Sequence, residues 1–378
     1  MTSSWIWTLL NLYLLISLCA ILFDLWIMLT ASHRQRARGR REARLKALLE
    51  RQLSLLGQGR EQEEATQHKL YRRLRSIGDV LAFCVLADAY SADGDARFAL
   101  WVSRSGAMFG RLCQYYGRKQ KMYRASFAWL LASCRQDIPA ALPFLLACTA
   151  QRGSIYCREN ALTALYRGGS VKGVVQALKR MSREDVHHSQ KLLCDGLLSF
   201  KGDREELCAQ LWRQFGSFTP DIRLALVDFM RLLGADYCRE LLPLLDDPAT
   251  DDELCYAILR YYGRCRDEGA YRRMLAFLEK PRGGLWEYAA VSASALRAYP
   301  CGETVSALLE ALGAHNWYVR YNAAESLVSM GLPESAYRPA LEGEDRYARE
   351  ILQYMLERRQ LSGAAPETRK GGKSLVVS

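Results

Sequence analysis

The 378-residue chain is half hydrophobic and carries a formal charge of +11, so it has material for a large core, and its length alone suggests two or three domains unless repeats let one structure grow lengthwise. Its twelve cysteines include no CxxC pair and no zinc-type Cys/His spacing, which excludes a zinc module and a compact secreted disulfide framework. Scattered cysteines such as Cys148, Cys194 and Cys208 read instead as small core residues in a reducing compartment.

Residues 5–31 form an apolar run long enough to cross about 30 Å of hydrocarbon at about 1.5 Å per residue. The rival, a secretory signal peptide, wants basic residues before the run, whereas here they follow it. HRQRARGRREARLK, residues 33–46, holds seven Arg and Lys against one Glu. By the positive-inside rule this predicts a single-pass protein of an inner (cytoplasmic) membrane, with the N-terminus out and the rest in the cytoplasm. Residues 33–46 are then expected to touch anionic lipid headgroups. Asp24 falls near the inner boundary, where water is in reach. It also shares a helix face with Tyr13 and Ser17, a small and polar stripe suited to docking a partner's transmembrane helix.

Residues 32–59 are expected to form a basic juxtamembrane helix or linker. Leu45, Leu48, Leu49, Leu53 and Leu56 give it an amphipathic stripe that either lies on the membrane or extends the spanning helix. Residues 60–119 read as further helices, with Leu81, Val85, Leu86 and Ala89 on one face and a turn at 91–95. Residues 361–378 are polar and Gly-rich, with the composition of a disordered tail.

Between 120 and 360 one pattern recurs. The stretch NWYVRYNAAESLVSMG, residues 316–331, has counterparts whose anchor positions are 123, 157, 190, 222, 254, 286 and 319, spaced by 32 to 34 residues, with a weaker copy at 348. A unit of this length holds two helices and two turns and cannot bury its apolar faces alone, so neighbours must stack. Glycines and prolines fall between the helical segments, and strand signals are scarce. The pattern predicts an all-α protein, an α-solenoid of about eight helical hairpins preceded by a single transmembrane helix.

Val319, Arg320, Ala323, Ala324, Leu327 and Gly331 resemble a HEAT-like repeat of the kind also found in phycobiliprotein lyase subunits, where a Val-Arg pair opens the second helix and a Gly ends it. Cys157, Arg158, Ala161 and Leu165 follow the same pattern. The acidic residue usual before that helix is absent, with His315 and Asn316 in its place. The resemblance covers roughly residues 120–358 and implies binding more often than chemistry.

The residue after the anchor is basic at Arg124, Arg158, Lys191, Arg223 and Arg320. This ladder either binds an acidic partner or holds the stack together by pairing with carboxylates and loop carbonyls of adjoining repeats. Tyr256, Tyr261, Tyr262, Trp286, Tyr288, Trp317, Tyr318 and Tyr321 crowd the last units; by helix geometry some must be core, and Tyr288, Tyr318 and Tyr321 are taken as candidate interface anchors. His187 and His188 lack the helical spacing of a metal site, and the acidic 246–253 stretch reads as a loop that caps the helix after it. No catalytic, cofactor or metal residue is assigned.

The expectation is a non-enzymatic, membrane-anchored scaffold that binds a membrane or cytoplasmic protein and organises a membrane assembly. Its more specific form is an accessory partner of a membrane glycosyltransferase in envelope or exopolysaccharide assembly. A bilin-lyase-like enzyme is the alternative implied by the resemblance. Nucleic-acid binding through the Arg ladder is the other, disfavoured by the membrane tether.

Overall fold

A computed structural model describes residues 2–150 and 154–363. The tail expected to be disordered lies, from residue 364, outside the described residues. Among the described residues twenty α-helices follow one another: α1 (Thr2–Gly57), α2 (Glu64–Arg73), α3 (Ile77–Ala92), α4 (Ala96–Arg104), α5 (Gly106–Gly117), α6 (Lys121–Ser133), α7 (Leu142–Thr149), α8 (Ile155–Gly168), α9 (Val171–Arg183), α10 (Gln190–Leu198), α11 (Arg204–Trp212), α12 (Pro220–Leu233), α13 (Cys238–Asp246), α14 (Asp252–Tyr262), α15 (Glu268–Glu279), α16 (Trp286–Leu296), α17 (Gly302–Ala311), α18 (Trp317–Ser329), α19 (Arg338–Leu341) and α20 (Arg346–Gly363). No strand occurs among the described residues. The chain is all-α.

Local chemistry sets the helix ends. Asn316 accepts from the Tyr318 N–H at 2.8 Å and starts α18, and Asp251, in the acidic stretch, accepts from Glu253 at 3.0 Å and starts α14. Pro220 opens α12, where its missing N–H costs nothing. Gly234 ends the same helix at φ 74°, a left-handed conformation that an L side chain resists.

The helices form two compact units, Met1–His187 with Ser199–Ser217, and His188–Leu198 with Phe218–Ser378. In the first, α1, α3, α6 and α8 pack side by side in one layer, and α2, α5, α7, α9 and α11 follow in a second. In the second unit α10, α12, α14, α16, α18 and α20 are neighbours in that order, with α15 against α17 on the other layer.

One burial pattern, i, i+4, i+5, i+7 and i+8, marks these layer helices. It reads Cys157, Ala161, Leu162, Ala164 and Leu165 in α8, and Val319, Ala323, Ala324, Ser326 and Leu327 in α18. In α16 it begins at Tyr288, with Ser292, Ala293, Ala295 and Leu296, so the anchor set at Trp286 is two residues early. The pattern also runs upstream of residue 120: Asp79, Phe83, Cys84, Leu86 and Ala87 in α3, and Leu45, Leu49, Gln52 and Leu53 in α1.

One of the two readings of the α1 stripe holds, and the expected face of α3 changes. α1 is one unbroken helix from Thr2 to Gly57, and its stripe of Leu45, Leu49, Leu53 and Leu56 is core, packed against α3 and α4. It extends the apolar segment rather than lying on a membrane. In α3 the inward face is Phe83, Cys84, Leu86 and Ala87, while Leu81 and Val85 are exposed. They line a groove of about 420 Å³ with Arg38, Arg41 and Trp129. The apolar half of α1 is long enough to cross a membrane over Asn11–Met28, and none of that window is buried.

Candidate aromatic docking site

α16 and α18 run in the same direction. The Asn322 amide donates to the Ala290 carbonyl at 2.9 Å, and the Ser326 hydroxyl donates to the Ala293 carbonyl at 2.8 Å. This register puts the first turns of α16 and α18 beside one another, the Arg320–Asp345 pair brings the start of α20 next to α18, and those turns carry Trp286, Trp317, Tyr318 and Tyr347. All four are exposed, Trp317 to 56% and Tyr347 to 68%.

The rings organise each other. Trp286 stacks on Tyr318 at 5.2 Å and 15°, Trp317 meets Tyr318 edge-on at 5.2 Å, and Trp317 lies 4.9 Å from Tyr321. Beside them opens a cleft of about 560 Å³, lined by His315, Trp317, Arg320 and Tyr321 on one side and Tyr347, Glu350 and Tyr354 on the other. Arg320 is the half-buried cation of its lining. Its guanidinium donates to the Ala314 carbonyl, reaches both Asp345 oxygens at 3.1 Å and sits 5.5 Å from the centre of the Tyr347 ring. The Ala348 N–H, and after it Arg320, hold the Asp345 carboxyl below the usual carboxylate range. Arg358 donates to the Tyr321 hydroxyl at 2.9 Å.

Large rigid rings with few rotamers lose little entropy when covered, and a contiguous exposed apolar patch of this kind marks an interaction surface. The arrangement offers anchors and hydrogen-bonding edges. Among the described residues no group of three or more His, Cys, Asp or Glu is placed to hold a metal ion.

Of the residues singled out from the sequence, Arg320, Tyr318 and Tyr321 meet here. Tyr288 does not: it is fully buried, and its hydroxyl donates to Asp252 at 2.6 Å. Expected as an interface anchor, it is a core residue, because the two-residue shift of register in α16 turns it inward and Trp286 outward. Arg124 and Arg158, in the first unit, donate to the carbonyls of Ala147 at 3.1 Å and His187 at 3.2 Å. With Arg320 on Ala314, two rungs of the ladder hold turn carbonyls and Arg124 holds one in the last turn of α7. Lys191 is exposed and Arg223 half-buried, both in the second unit. Tyr13 and Asp24 are exposed and Ser17 half-buried on the apolar part of α1.

Tyr347 and Tyr354 escaped the sequence reading. A signal existed for the first: a tyrosine stands immediately before the anchor at Tyr156, Tyr318 and Tyr347, followed two residues later by Arg158, Arg320 and Arg349. The chain matches no protein-family model and no curated protein.

Proposed function

We propose that the chain is a non-catalytic, membrane-anchored scaffold: α1 spans an inner membrane once, and a HEAT-like α-solenoid on its cytoplasmic side binds a partner protein. The observation that carries the binding half is the stacked, exposed cluster of Trp286, Trp317, Tyr318 and Tyr347 beside the cleft. Tryptophan, tyrosine and arginine are the residues on which interface energy concentrates. The anchoring half is supported by the unburied apolar window Asn11–Met28 and the cationic run after it, which favours the cytoplasmic side and anionic headgroups. Tyr13, Ser17 and Asp24 would meet a second helix within the membrane. Recruitment of a glycan-assembling enzyme is the narrower form of this role.

The test is affinity purification of the full-length chain in mild detergent, wild type beside a Trp317→Ala/Tyr318→Ala variant. A protein should co-purify stoichiometrically with the wild type and be lost from the variant, while both chains fractionate with membranes. A partner retained equally by both would move the interface elsewhere.

A further inference from the structure

The layer helices of the first unit all point one way. Between α1 and α3, the Arg41 guanidinium lies against Gly78 and within 3.9 Å of Asp79 at the start of α3, and the Tyr90 hydroxyl donates to Glu50 near its end. Between α3 and α6, the Ser91 hydroxyl reaches the carbonyls of Ser133 at 3.0 Å and Cys134 at 3.1 Å, where both helices finish. Between α6 and α8, the Asn160 amide donates to Ala125 at 3.0 Å near both beginnings, and Gly168 abuts the Gln136 carbonyl near both ends. The N-terminal ends of α3, α6 and α8 therefore lie on the side from which the apolar half of α1 arrives.

That edge has a distinct chemistry. The first turns of α6 and α8 expose Met122 (67%), Tyr123, Ile155 and Tyr156 (68%). The turns leading into α3 and α6 carry Arg75, Arg118 and Lys119, and α6 opens on Lys121, all exposed. Arg75 and Lys119 flank the ring of Tyr115 at 4.7 and 4.6 Å, which brings the two turns together. No Asp or Glu occurs between residues 65 and 78 or between 96 and 136. The turns at the opposite ends of these helices hold Glu61, Glu63, Asp93, Asp95 and Asp137. The edge is therefore cationic beside α3 and α6, with Glu184 and Asp185 at its α8 end, where Arg158 holds the His187 carbonyl, and the opposite edge carries Arg60, Arg97 and Arg135 beside its carboxylates.

We propose that this edge rests on the membrane that α1 crosses, with Tyr123, Ile155 and Tyr156 in the headgroup layer and Arg75, Arg118, Lys119 and Lys121 on anionic lipid phosphates. The inference rests on the anchoring role of α1 proposed above. Leu45 opens the burial pattern in α1 as Cys157 does in α8, and it stands about 25 Å along α1 from Met28 at about 1.5 Å per residue. Helix axes packed about 8–10 Å apart put α8 roughly 25–30 Å to the side of α1. A tilt of about 30°, inside the range of spanning helices, lowers the first turn of α8 by roughly 14 Å and brings it to the headgroup layer. Tyrosine and cationic side chains are the residues that settle there.

The experiment uses the full-length chain in nanodiscs of phosphatidylcholine and phosphatidylglycerol, with benzoylphenylalanine placed at Tyr156 or, at the opposite edge, at Lys172 in the first turn of α9. Irradiation is expected to give a lipid adduct from position 156 and none from 172. Lys119→Glu/Lys121→Glu, or discs of phosphatidylcholine alone, should reduce the adduct at least fivefold. A chain that co-fractionates with the discs yet gives no lipid adduct at 156, or only a protein adduct, overturns the proposal and leaves the anchor standing. A chain absent from the disc fraction overturns the anchor and this inference with it.

Discussion

Trp286 and Tyr318 stack with ring centres 5.2 Å apart and planes 15° apart, one from the first turn of α16 and the other from the first turn of α18. An exposed stack of this kind contributes about 0.5–1.5 kcal/mol beyond area burial, too little to explain four rings held at one edge. Tyr318→Ala should therefore leave the urea midpoint nearly unchanged while weakening partner binding about thirtyfold, or about 2 kcal/mol. Tyr288→Ala, only two residues from Trp286, should do the reverse and cost about 3–5 kcal/mol of stability, because it empties a fully buried ring site. Equal effects of the two on unfolding would show that the outward and inward tyrosines have been confused.

The stripe on α1 carries a second prediction. Leu49 is fully buried against the first unit, so Leu49→Ala should destabilise that unit by about 2–5 kcal/mol. Leu49 would tolerate the change if the stripe lay on a bilayer instead. Chemical denaturation of the full chain in detergent, followed by protease resistance of the first unit, separates the two.

Acid should weaken the fold in a defined window. Arg273, hydrogen-bonded to Asp246 at 2.6 Å, holds that carboxyl below its ordinary 3.8, and Arg97 does the same for Asp95. A carboxyl depressed in the folded state binds fewer protons there than in the unfolded chain, so its contribution is complete above about 3.8 and is lost as pH falls through the folded value. The urea midpoint should be flat from pH 7 to about pH 5 and fall below about pH 4. Asp246→Asn should remove part of that slope, and an unchanged slope would show that this pair contributes nothing measurable.

Cysteine chemistry should be selective. The Cys301 thiol is exposed and lies 3.2 Å from the Thr304 hydroxyl and 3.1 Å from that of Tyr271, and these hydrogen bonds, Thr304 first, lower its pKa. Burial pushes Cys84 and Cys113 up to about 12. Pulsed iodoacetamide read by peptide mass spectrometry should label Cys301 well before Cys84 or Cys113, since the thiolate is the nucleophile. Tyr271→Phe should slow that labelling. Simultaneous labelling of all three would mean that the core opens on the time scale of the pulse.

Much of this fold could be read from residue order, and what was hidden has physical causes. The α18 stretch announces itself because Val319, Ala323, Ala324 and Leu327 sit at clean helical spacing and Gly331 ends the turn at φ 69°. The α3 copy was masked because its first buried position is Asp79, a carboxylate flanked at 3.9 Å by Arg41 and Arg73. Hydrophobic periodicity is blind to such a position. The spacing from Asp79 to Tyr123 is also stretched, since α4 and α5 fill the place of one helix with a break at Ser105. Which tyrosines face out was not legible: Tyr288 and Tyr318 have similar neighbours in sequence, and only the register of α16 separates them. The sequence could name an aromatic cluster but could not draw its surface.

The most direct measurement is photo-crosslinking in intact cells from benzoylphenylalanine placed at Tyr318, with Lys179 on α9 as the control position. One discrete protein adduct is expected from position 318, lost when Trp317→Ala is combined with it, and none from 179. No protein adduct from 318, or the same adducts from both positions, would contradict the claim that the aromatic edge of the second unit is where this chain holds its partner.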